Sequence, residues 1–185
     1  MRMGRGAPTG RVPSTDQQSE RKDRIIMPDG MTPDHLGDFL QRAAREVGNR
    51  FTLPEADWAP MGFILGPDGS MTVIELLELA DDKDVAAIAL GALAVVHDAV
   101  AVGLVLSTWQ VVSATRDIEP RPSQHPDRFE ALVIEVIERA RDRIWIARIE
   151  RRDDGPPALL EFEDAQETGY SRFAEKIAPA LAPTS

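Results

Sequence analysis

Three histidines are the residues best equipped to move protons in this 185-residue chain: His35, His97 and His125. His125 stands in Ser123-Gln-His-Pro-Asp127, where a loop presents an imidazole close to a carboxylate, the pairing a general base would use. The same Ser, Pro and Asp also build turns, so a turn-forming role competes with the chemical one. His97 is followed by Asp98, and a neighbouring carboxylate favours the protonated ring. Adjacent residues on a helix point about 100° apart, however, so Asp98 does not orient His97 directly. At the end of a helix His97 also suits the negative end of the dipole. His35 falls in the first turn of a helix, where a positive ring would oppose that dipole, and reads as a solvated side chain. A hydrolase-type or metal site can be drawn from His97, His125 and an acid such as Asp127.

Local spacing argues against most specific chemistries. No pair of histidines has the His-x-His or His-x-x-x-His spacing that sets two ligands on one metal. The chain has no cysteine, which removes disulfides, thiolate nucleophiles, cysteine-bound zinc and the zinc deaminase signature together. There is no Gly-x-Ser-x-Gly elbow for a serine nucleophile, and Ser107 and Ser113 read as small strand residues. Beyond the N-terminal stretch no Gly-x-Gly-x-x-Gly or Gly-Lys-Ser/Thr cradles a phosphate. Pro67-Asp68 and Glu161-Phe-Glu163 superficially resemble acidic nuclease signatures, but the lysine that would position the attacking water is missing beside Glu163. No residue is therefore assigned as catalytic, cofactor-binding or metal-ligating, and no cofactor is expected.

Two other groups could serve recognition. Glu130, Glu135, Glu138, Arg139, Arg141, Arg143, Arg148, Glu150, Arg151 and Arg152 form a charged stripe. Cross-strand ion pairs on a solvated face account for it, and an Arg-rich groove for an anionic partner is the functional alternative. Among the large aromatics, Trp109 and Trp145 read as core. Trp58, in the polar Pro54-Glu-Ala-Asp-Trp-Ala-Pro60 loop, reads as a candidate interface contact.

The composition sets the frame for these groups. The chain carries 31 acidic against 21 basic residues, a net charge of −10, which repels phosphate backbones and makes non-specific nucleic-acid binding an unfavoured function. Of the basic residues only Lys22, Lys83 and Lys176 are lysine, a bias that suggests a high-GC bacterial or phage origin. An apolar content of 43% supports a buried core, and the length fits one domain. Neither a membrane span nor a secretory signal is evident, so the cytoplasm is the expected compartment. Residues 1–30 are poor in apolar groups and rich in Gly, Pro, Ser and Thr, and read as a disordered tail or a misplaced translation start, with Met27 and Met31 as later candidates. Arg2, Arg5 and Arg11 give that tail the character of a possible basic arm.

The rest, residues 31–182, reads as a single domain. Thr32 and Pro33 open a helix with Leu36, Phe39, Leu40, Ala43 and Val47 on one face, closed by Gly48-Asn49. Residues 61–65 and 71–76 flank Gly66-Pro-Asp-Gly-Ser70 as a hairpin. A second helix spans about Lys83 to Asp98, with Val85, Ile88, Ala89, Ala92, Val95 and Val96 as its apolar face against a sheet. A strand from Val100 to Ser113 follows, then a Pro-rich loop over 117–127, then strands over 129–138, 144–150 and 158–162. A last helix starts near Ser171, with Phe173, Ile177 and Leu181 inward. This order predicts an α+β fold with a mostly antiparallel sheet of five to six strands and about three helices. The function expected of it is a non-enzymatic protein-interaction or assembly module, with self-association through a sheet edge or a Trp-bearing surface. The alternatives are a hydrolase-type enzyme using His125 or His97 with nearby carboxylates, and nucleic-acid binding through the basic tail and the Arg-rich strand face.

Overall fold

A computed structural model describes residues 24–25, 30–77, 82–111, 122–165 and 172–181. The tail expected at 1–23 and 26–29, the choice of start, and residues 117–121 of the Pro-rich loop lie outside the described residues.

The fold is α+β with an antiparallel sheet. In chain order the elements are β1 (Arg24–Ile25), α1 (Pro33–Gly48), β2 (Met61–Leu65), β3 (Met71–Glu75), α2 (Lys83–Val96), β4 (Ala101–Gln110), β5 (Phe129–Glu138), β6 (Asp142–Arg152), β7 (Gly155–Leu159), β8 (Glu163–Asp164) and α3 (Arg172–Ile177). The sheet runs β1-β3-β2-β4-β5-β6-β7, with β8 also paired to β6. Among the described residues it holds the six expected strands and two further ones of two residues each. One of them, Arg24–Ile25, lies in the stretch read as tail and pairs with Thr72 and Met71.

Local chemistry explains the turns. Gly69, at φ 76°, takes the left-handed position of the β2–β3 turn, while Gly66 N–H donates to Ser70 O at 2.8 Å. Asp82 caps α2 by accepting from the N–H groups of Asp84 and Val85. At the other end of α2, Asp98 sits at φ 48°, and Ala99 N–H and Asp98 N–H donate to the carbonyls of Ala94 and Val95. Those are the two bonds of a Schellman stop, so Asp98 is the left-handed terminator of the helix.

Strand alternation sends apolar side chains to both sheet faces. Leu132, Ile134 and Val136 of β5 pack with Leu36 and Leu40 of α1, whereas Val102, Leu104 and Ile137 pack with α2 and with Phe173 and Ile177 of α3. α1 therefore covers one face and the α2–α3 pair the other. The sheet centre is doubly covered, as residues 101–105 of β4, all buried, require. α1 lies so close that a Cβ on Gly37 would stand 2.4 Å from the Trp145 ring.

The second helix differs from its expected orientation. The residues of α2 buried against the rest of the fold are Ala86, Ala87, Leu90, Gly91 and Ala94, and of these Gly91 faces α3, where a Cβ would stand 3.6 Å from Lys176 O. The expected inner face is the exposed one: Val85 is 46% exposed, Ile88 64%, Val95 59% and Val96 74%. Ile64, Leu104 and Ile137 rise from the sheet below, and Phe173, Ile177 and Leu181 come in from the α3 side. The layer is already full of large groups, so α2 docks through small ones.

Candidate functional site

The elements place the candidate histidines far apart. His97 is the C-cap of α2, four residues before β4 begins. His125 lies four residues before β5, whose Phe129 pairs with Gln110 at the other end of β4. The two rings thus stand at opposite ends of a ten-residue strand, about 30 Å apart at roughly 3.3 Å per residue, too far to line one pocket.

His125 serves its own turn. Its Nδ1 accepts the N–H of Asp127 at 3.1 Å, which leaves the proton of the neutral ring on Nε2. The Asp127 carboxylate is 4.0 Å from the same Nδ1 and is itself 87% exposed. The backbone adds His125 N–H to Pro122 O and Arg128 N–H to His125 O. His35 Nδ1 lies 3.0 Å from the Thr32 hydroxyl on an exposed helix start. Among the described residues no group of three or more His, Asp and Glu has metal-binding geometry.

The charged stripe is consumed largely by internal pairs. Glu138, buried at the end of β5, accepts from Arg141 Nε at 2.7 Å and from Arg143 Nη2 at 3.4 Å. Arg141 reaches on to Asp34 at 2.6 Å, and Arg143 donates to Pro33 O at 2.7 Å. The Arg141 guanidinium, hydrogen-bonded to Asp34 and charged beside it, holds that carboxyl below the usual range. In return the carboxylates of Glu138 and Asp34 push Arg141 up. Farther along β6, Arg151 forms a bidentate pair with Glu130 and donates to Ala56 O. The Glu130 carboxylate pushes Arg151 up against the opposing effect of its partial burial. Arg148 lies over the Phe129 ring at 4.3 Å. These arginines hold strands and loops together.

Trp58, expected at an interface, is buried, and its Nε1 donates to Ala44 O at 2.8 Å. Trp109, expected in the core, is 42% exposed under the guanidinium of Arg128. Trp145 is half-buried against α1, beside Arg143. Beneath Trp58 lies a small cavity of about 190 Å³, lined by Trp58, Pro60, Leu76, Ala86, Leu106 and Phe173, with Asp57, Lys83, Ser107 and Thr108 adding polar groups. No histidine lines it.

The feature that reasoning from periodicity missed is the outer face of α2. Val85, Ile88, Ala92, Val95 and Val96 are all exposed, and no charged residue occurs between Asp84 and His97. The signal was present in the sequence: residues 85–96 are apolar on every side of the helix, so any face turned from the sheet had to be apolar too. No helix among the described residues is long and apolar enough to cross a membrane. Comparison with known proteins found no family model, no curated protein and no solved structure that matches this chain.

Proposed function

We propose that this protein is a non-enzymatic interaction module that works by burying an apolar surface against another protein. The observation that carries the reading is the outer face of α2, where Val85, Ile88, Val95 and Val96 are each about half exposed or more. Helices that are apolar all round are covered in working proteins. At roughly 25 cal/mol per Å² of apolar area, covering these side chains returns several kcal/mol towards association. None of these four side chains belongs to the buried core, which α2 joins through Ala86, Ala87, Leu90 and Ala94.

The test is a photoreactive residue placed at Ile88 in living cells, with the same residue at exposed Glu150 of β6 as the control. Protein adducts from position 88 and none from position 150 are expected. If position 88 gives no adduct while the protein is folded and abundant, the interaction reading fails.

A further inference from the structure

The outer face of α2 is built to meet a copy of itself. We infer that the chain forms a two-fold dimer in which α2 packs antiparallel against α2 of a second copy. The inference rests on the interaction reading above and names its partner.

Spacing is the first ground. Val85, Ile88, Ala92 and Val95 follow one another at three, four and three residues, the interval that makes a knobs-into-holes seam between two helices. The stripe runs along a helix of 14 residues, and from Val85 to Val96 it spans about 17 Å at 1.5 Å per residue. Shape is the second ground. An antiparallel pair centred on residue 90 sets Ile88 opposite Ala92 of the second copy and Val85 opposite Val95. The largest side chain of the seam then faces the smallest, twice, and Ala89 beside it lets the axes approach to about 8–10 Å. A two-fold contact needs a surface that complements itself, and this one does.

Charge is the third ground. Between Asp84 and His97 the face offers no charged or hydrogen-bonding side chain, so a different partner would find nothing there to select it by polar contacts. Within residues 85–96 two copies meet without setting like charges together, only Asp82 and Asp98 fall opposite one another beyond the ends of the seam, and the antiparallel arrangement brings opposite ends of the helix dipoles side by side. Area sets the strength. The exposed side chains of the stripe amount to on the order of 400 Å² per copy, the size at which an apolar patch marks a contact. A pair then covers about 800 Å² before its rim is counted, the weak end of specific interfaces. The dimer inferred is accordingly a weak, reversible one.

The chain lacks cysteine, so single cysteines report on the contact cleanly. Sedimentation equilibrium of the full chain is expected to give a mass that rises with concentration from one copy towards two. Ile88→Asp is expected to hold the mass at one copy throughout, with an unchanged circular dichroism spectrum, while Val47→Asp on exposed α1 leaves dimerisation intact. Ile88→Cys and Ala92→Cys are expected to form a disulfide-linked dimer when oxidised as a mixture, and far less when oxidised apart. A wild-type monomer at every concentration overturns the dimer, as does a dimer indifferent to Ile88→Asp. Cross-linking within each single variant but not between them overturns the antiparallel register. If the chain is monomeric but the photoreactive residue at 88 captures a different protein, the second copy is wrong and the interaction reading stands. If it captures nothing, both fall.

Discussion

The indole of Trp58 is held on several sides. Its Nε1 bonds the Ala44 carbonyl, Phe51 meets it edge-on at 4.8 Å, and Gly48 leaves the room its ring needs, since a Cβ there would stand 2.6 Å from the ring. Trp109 instead makes a cation–π contact with Arg128, whose guanidinium lies 4.7 Å from its ring centroid. Stability should follow these contacts. Trp58→Ala is expected to cost about 3–5 kcal/mol, the range for deleting a buried aromatic. Trp109→Ala is expected to cost less, since the residue is 42% exposed and its cation–π contact adds only about 0.5–1 kcal/mol to its partial burial. Urea denaturation followed at Trp145 reads both variants, and equal losses would sink this assignment of roles. Position in the sequence suggested the opposite, because Trp58 stands among Pro, Glu and Asp, while Trp109 stands in a strand. What decides the matter is the reach of the neighbours: the 54–60 loop folds against the end of α1, and the second half of β4 runs past the five-residue β2, which pairs only with residues 101–105.

At the scale of elements, α1 is tied to the β5–β6 hairpin through its first turn. Arg141 bridges Glu138 of β5 to Asp34 of α1, and Arg143 holds Pro33 O while pairing with both acids. Asp34 supplies the pH dependence of this tie. Its carboxyl is held below the ordinary value of 3.8, first by the hydrogen bond from Arg141 and then by that residue's charge. A carboxyl whose pKa falls on folding stabilises the fold above its unfolded value and loses that contribution as pH falls through the lowered one. Asp34→Asn is therefore expected to be less stable than wild type at neutral pH, with a difference that shrinks once the pH drops below 3.8. Urea midpoints across a pH series measure this; a difference that does not change with pH would show that Asp34 acts through packing alone. The elements themselves were legible in the sequence wherever local chemistry decides. Thr32-Pro33, Gly66 to Ser70 and Lys83 mark boundaries that the structure keeps. The orientation of α2 was not legible, because an apolar helix offers two stripes and only the sheet beneath it selects the smaller. The separation of His97 and His125 depends likewise on the pairing of β4 with β5, which no local spacing reveals.

For the whole molecule the decisive quantity is a net charge of −10. Two copies of such a chain repel one another at long range, and nothing polar in the seam of α2 offsets that repulsion. Salt screens it, since the screening length falls from about 10 Å at 0.1 M to about 3 Å at 1 M. Raising salt across that range also strengthens apolar burial where the anion is sulfate. The dimer is therefore expected to tighten several-fold as salt rises. A complex held by charge behaves in the opposite sense. Nucleic acid bound by arginines would be released as salt rises, because its affinity depends on displaced counterions. The described arginines of the stripe are poorly placed for it: Arg141, Arg143 and Arg151 already pair with carboxylates of their own chain. Sedimentation equilibrium at several salt concentrations separates the two cases by sign. Association that weakens with salt would move the working surface from α2 to the charged face of β5 and β6.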